Sequence, residues 1–221
     1  MKKILNTTAI AGSLCLLGTS VFAQTKGFEG GHFGIAASIA GITAESSKRS
    51  DITTTNSGNA GVGAVVPLGN IDVGYTVSAG KDLAVTLGAT YLPLKGEVSG
   101  KSNDSSSGKA YKFEVKDIWS VYLQPHFVIN PNASFFIKLG YTQGDANASN
   151  VTTPPGDLKG YLGSAGLRVN LTGNAFVQVE GVYTKYDTLT AKDVSTFPTE
   201  TRTITAEPEI AEGRITVGFK F

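Results

Sequence analysis

The chain has 221 residues, enough for one domain with a sizeable core. Charged residues make up 17%, below the roughly 25% of an average soluble domain, and Lys+Arg 19 against Asp+Glu 18 leaves no basic excess for a nucleic-acid partner. One Cys and two His exclude a disulfide framework and a Cys/His zinc cluster.

The chain opens Met1-Lys2-Lys3, continues through an apolar run from Ala9 to Leu17, and reaches Val21-Phe22-Ala23. A positive end, a short apolar middle and a small-residue exit form a secretory signal. The run is too short to cross a bilayer as a helix. Cleavage is expected after Ala23, so residues 1–23 are the signal peptide and 24–221 form one domain. Cys15 lies within the signal, and Leu14 stands where a lipoprotein site needs a small residue. The mature chain is then free of cysteine.

Beyond residue 23 the dominant period is 2, in segments rich in Val, Ile, Tyr, Phe and Thr and broken by Gly, Asn, Asp and Pro. Eight strands are predicted: about 32–44, 65–78, 83–95, 113–129, 134–144, 158–171, 175–186 and 210–221. Three connections are tight: Ala79–Asp82, Asn130–Ala133 and Thr172–Asn174. Four are long and polar: Glu45–Ala64, Gly96–Lys112, Asp145–Asp157 and Asp187–Glu209. The alternation of long and short connections makes neighbours antiparallel and puts every long loop at one end, with both chain ends at the other. The predicted fold is all-β: an eight-stranded antiparallel up-and-down transmembrane β-barrel.

Sidedness follows from the two faces. The odd-numbered positions carry Ile35, Val73, Leu87, Leu123, Leu139, Leu167, Val179, Val217 and their like, with no charge among them. The even positions mix Gly and Ala with Ser, Thr, Asn, Gln and scattered charges of both signs. That mixture suits a crowded lumen, where each charge needs a partner. Outward aromatics are Phe near the tight turns (Phe33, Phe127, Phe135, Phe219, Phe221). Near the long loops they are Tyr91, Trp119, Tyr141, Tyr161 and Tyr183. Two such girdles mark two membrane interfaces. Pro125 interrupts a strand and is expected at a bulge, whereas Pro67 and Pro93 are expected at strand ends.

The chain ends Arg214-Ile215-Thr216-Val217-Gly218-Phe219-Lys220-Phe221, alternating and closing on an aromatic residue. This resembles the terminal signature of bacterial outer-membrane barrels. With the signal and the eight strands, residues 24–221 resemble the small outer-membrane barrel superfamily of OmpA, OmpX, OmpW and the opacity proteins. The resemblance implies the outer membrane of a Gram-negative bacterium, with a bilayer and lipopolysaccharide around the barrel. It also implies that the barrel assembly machinery reads the last strand through Phe219 and Phe221. A structural or surface-interaction role follows, with a partner at the loops and neither catalysis nor cofactor.

Candidate chemistry is sparse. Asp72, Lys138, Arg168, Glu180 and Arg214 fall at inward positions on five strands, and Gln124 and His126 join them. These seven are expected to form a polar network that plugs the lumen, because eight strands leave room for little besides side chains. The alternative is a narrow, OmpW-like conduit for small or hydrophobic solutes, helped by inward Leu68, Leu92, Tyr122, Val128, Phe136, Leu162 and Val182. A third reading is a lipid A-modifying enzyme built on His126. However, Val128 stands where such sites resemble His with Ser two residues on, and no serine pairing is evident. His32 is read as interfacial. Two His so far apart make no metal site. The acid pairs Glu207/Glu209 and Asp187/Asp193 are read as solvated loop carboxylates. Gly58–Gly63 lacks the Lys-Ser/Thr ending of a phosphate loop.

Overall fold

The structure, a computed structural model, describes residues 24–46, 60–93, 96–101, 110–148, 156–194 and 201–221. The expected signal, residues 1–23, lies outside them. Ten strands run in chain order: β1 (Gly30–Ser46), β2 (Ala60–Ser78), β3 (Leu83–Leu92), β4 (Gly96–Lys101), β5 (Ala110–Asn130), β6 (Ala133–Ala148), β7 (Leu158–Asn170), β8 (Ala175–Tyr186), β9 (Leu189–Val194) and β10 (Thr201–Lys220). β1, β2, β3, β5, β6, β7, β8 and β10 pair in sequence, all antiparallel. The register of β1 on β10, from His32 opposite Lys220 to Ser46 opposite Ala206, closes the ring. Eight strands thus form a closed barrel, which leaves no edge with unpaired backbone groups.

The eight expected strands are all present, and several run further than their side-chain pattern predicts. β2 begins at Ala60, so Ala60–Gly63 are strand and form no phosphate loop; Gly58 and Asn59 lie outside the described residues. β4 pairs with β5 and β9 with β10, which gives two of the expected long loops a hairpin character. The Ser-rich residues 102–109 between β4 and β5 are outside the described residues.

The tight turns follow their residue chemistry. At the β5–β6 turn the Asn130 side chain accepts from the Asn132 backbone N–H at 2.9 Å. Gly173 (φ 74°) and Asn174 (φ 67°) take the left-handed conformation of the β7–β8 turn. Pro93 directly follows the last residue of β3, as expected, whereas the other two prolines depart from expectation. Pro67 lies inside β2, in the part that pairs with β1 and not yet with β3. Pro125 sits at no bulge: the β5–β6 ladder passes from Leu123–Leu139 to His126–Phe136 in unbroken register. The register shifts fall at Lys116–Trp119 and Val128–Asn130 instead.

The sidedness is as the two faces predict. Outward Ile35, Leu87, Leu123, Leu139, Val179 and Val217 are exposed, as are Phe33, Phe127, Phe135, Phe219 and Phe221 at one rim and Tyr91, Trp119, Tyr161 and Tyr183 at the other. Trp119, Tyr141 and Tyr161 meet edge to face at 6.4 and 5.7 Å. Among the described residues no helix is long and apolar enough to cross a membrane.

Candidate functional site

The interior has three levels. At the long-loop end Ala146, Leu158, Tyr186 and Leu189 bury one another, with Ile210 beside them. At the tight-turn end Phe28, Ala84 and Val128 do the same. Between them lies a belt of polar side chains, because the inward positions at mid-strand are where the sequence places its charges.

Glu180 on β8 is the hub. Its Oε1 accepts from Lys138 Nζ of β6 at 3.0 Å, and its Oε2 accepts from Ser164 Oγ of β7 at 2.7 Å. Arg214 of β10 approaches within 3.6 Å and bonds Glu212 at 2.7 Å. Lys138 also reaches Asp72 of β2 at 3.9 Å and lies 4.4 Å over the Tyr122 ring. Asp72 accepts from Tyr122 at 2.9 Å and from His32 Nε2 at 2.8 Å. Five strands are thus tied by Asp72, Lys138, Ser164, Glu180 and Arg214, and β1 and β5 join through His32 and Tyr122. Each of the seven residues expected in the lumen is buried. Unpaired, a buried charge costs on the order of several kcal/mol, so pairing is what permits the burial of Asp72, Lys138, Glu180 and Arg214.

Gln124 and His126 form a neutral branch. Gln124 Nε2 donates to Gln178 at 3.4 Å and lies 3.0 Å from His126 Nε2. An amide nitrogen only donates, so His126 Nε2 accepts and its proton sits on Nδ1, which donates to Ser134 Oγ at 3.1 Å. Ser134 is the serine pairing that local spacing hides: it lies eight residues on, across the β5–β6 hairpin. Thr86 rather than a carboxylate holds the other ring nitrogen, at 2.9 Å. Both His126 and Ser134 are fully buried.

Arg168 differs from the rest of the set. It is buried on β7, yet none of its three side-chain nitrogens has a hydrogen-bond partner among the described residues. Its guanidinium stacks on Phe176, 3.8 Å from the ring centre. His32 corrects the interfacial reading: it is buried against Asp72, edge-on to Phe176. Alternation alone does not single out Glu212, which becomes visible only once Arg214 is placed. Among the described residues no three His, Cys, Asp or Glu side chains gather as a metal site.

The segment before β1 carries no strand signal in the sequence. It folds into a 3₁₀ turn, Thr25–Phe28, tucked into the tight-turn mouth. Phe28 is buried 6.0 Å from the His126 ring. Thr25 bonds Ser78 at 2.8 Å and Gly80 at 3.4 Å. The Gly27 carbonyl accepts from Asn170 at 2.8 Å and from Lys220. The signal that could have found it is Phe28 itself, an aromatic residue isolated between polar and glycine residues just ahead of the first strand.

Among solved structures, the chain is similar to the outer membrane protein OprG from Pseudomonas aeruginosa, at 14% identity and a TM-score of 0.56 over 87% of this chain and 98% of that one. It is similar to the outer membrane protein AlkL in lipid bilayers, at 16% identity and 0.50, over 93% and 98%. It also matches Ail, the attachment invasion locus protein of Yersinia pestis, at 16% identity and 0.47, over 87% and 99%. A search of curated proteins finds no match. The family model for the outer membrane protein beta-barrel domain matches residues 11–207. A closed ring with an apolar coat, two aromatic girdles and a polar belt inside meets what a bilayer demands of a strand protein, and this chain belongs to the outer membrane protein β-barrel domain family of the bacterial outer membrane.

Proposed function

We propose that the protein is a plugged outer-membrane barrel that serves a structural and surface-interaction role without catalysis. The carrying observation is the polar belt, in which Lys138 joins Asp72 and Glu180 across the lumen. The long-loop end would face outward and carry any partner, since a rigid barrel presents loops that vary freely. Signal removal after Ala23, reading of Phe219 and Phe221 by the assembly machinery, and lipopolysaccharide around the barrel complete this reading. Both phenylalanines stand exposed at the tight-turn rim, where an assembly factor would reach them.

Purified protein in planar bilayers tests the plug. The expected result is no reproducible open state. A steady conductance that Arg168→Ala alters would overturn it in favour of a narrow conduit. The apolar cluster of Leu158, Tyr186 and Leu189 under the loops is what favours that second reading, as a landing place for hydrophobic solutes. A lipid A-modifying activity is expected to be absent, with an unchanged lipid A mass spectrum when the protein is expressed.

A further inference from the structure

The geometry points to a movable lid: residues 25–28 close the tight-turn mouth of the barrel and open it without unpairing a strand. Three observations converge.

First, the segment's contacts span the mouth. Thr25 meets the β2–β3 turn at Ser78 and Gly80, while Phe28 packs against Ala84 of β3 and Val128 of β5. The Gly27 carbonyl holds Asn170 of β7 and Lys220 of β10, and the Pro131 carbonyl of the β5–β6 turn packs against Gly27. A Cβ at residue 27 would collide with that carbonyl, so the seat requires glycine.

Second, these contacts lie outside the ladders. Strand pairing of β1 with β2 begins at Gly30, and the seam with β10 is fastened at Gly31, whose N–H and C=O each bond Phe221 at 2.8 Å. Releasing residues 25–28 uncovers the buried Thr25 and Phe28 and breaks their contacts, yet it leaves every strand paired. A segment held outside the ladders opens by itself, at a free energy below that of global unfolding.

Third, a pivot is built in. Gly30 has φ +109°, a conformation that L side chains rarely adopt, and the terminal Phe221 carbonyl occupies the space its Cβ would need. The turn from lid into barrel wall is thus made by a residue that the C-terminus locks in place. The lid moves on a fixed post.

Opening would admit periplasmic water to the side chains that Phe28 covers, Ala84, Val128 and His126, below the charged belt. This holds whether or not the belt itself conducts, so it stands apart from the plug.

Thiol reactivity tests it. Ala84→Cys is placed behind the lid in a Cys15→Ser background, and the folded protein is treated with a water-soluble methanethiosulfonate. With Phe28 intact, slow but complete modification is expected. Phe28→Gly should speed it at least tenfold. Ala40→Cys, buried and inward nearer the long-loop end, should react at the same rate with or without that substitution. Ser134→Cys repeats the measurement in case a thiol at 84 displaces Phe28. Equal rates with Phe28 intact and with Phe28→Gly, in protein whose heat-modifiable gel migration is retained, would overturn the lid. So would equal acceleration at position 40, which reports general loosening. No modification at all with Phe28 intact would show a static wedge and overturn the movement.

Discussion

A carboxylate that gathers Lys138, Ser164, Gln178 and Arg214 cannot be removed cheaply. Without Glu180, Lys138 is left with Asp72 at 3.9 Å, Ser164 and Gln178 lose an acceptor, and Arg214 loses one of its two acids, all inside a closed wall. Glu180→Ala is expected to destabilise the barrel by about 3–5 kcal/mol, the usual consequence of stranding a buried charge. Guanidinium unfolding in detergent micelles measures it. Arg168 predicts the opposite. Its charge is buried without a bond, and its contribution is contact with Phe176. Arg168→Met keeps most of that contact and discards the desolvation penalty, so it is expected to be neutral or to stabilise by about 1–3 kcal/mol in the same assay. A loss comparable to that of Glu180→Ala would show that Arg168 belongs to the network after all.

At the scale of a strand, the glycines of the inward face decide how closely the wall packs on its contents. A Cβ on Gly166 of β7 would lie 2.6 Å from the Phe136 ring and 2.8 Å from Glu180 Cβ, besides meeting the Val179 carbonyl. Gly166→Ala is expected to cost about 1–3 kcal/mol by overpacking. Gly181 of β8, which faces outward with nothing within 4 Å, accepts alanine with a change within about 0.5 kcal/mol. The temperature at which each variant changes gel migration compares them. On β5 an extra residue shifts the register on β6 between Lys116 and Trp119. Asp117 there takes φ 52° and accepts from the Tyr91 hydroxyl at 3.0 Å. A short polar side chain tolerates that conformation, which explains why the bulge forms at an aspartate.

For the molecule as a whole, the lipid belt sets the terms. Leu123 lies on β5 midway between Trp119 and Phe127, its side chain turned to the bilayer. Leu123→Arg is expected to cost about 2–4 kcal/mol, as a cation at mid-membrane does in a strand barrel. The barrel fraction recovered on refolding into lipid vesicles reads it. The same belt accounts for the weak requirement for an interior apolar core: the hydrophobic driving force acts outward, toward lipid. The lumen is then free to hold Asp72, Lys138, Glu180 and Arg214 so long as they hold one another.

The sequence by itself determined the strands, their alternating connections and which face meets lipid. These are local properties: period 2, turn residues and the contrast between Leu123 and Gln124 or Phe135 and Ser134 are legible without knowing any neighbour. Strand limits beyond the girdles were less legible, because the added segments of β2 and β4 are rich in glycine and polar residues, which blurs the period-2 signal. Tertiary structure decided who pairs with whom. His32 reaches Asp72 across 40 positions, and Gly27 reaches Lys220 across 193. Strand register brings the first pair together and ring closure the second, and no spacing in the chain records either. Phe28 became a stopper, and Arg168 was left without a bond, for the same reason: a closed lumen has a fixed, small volume, and which side chains share it is set by the ring.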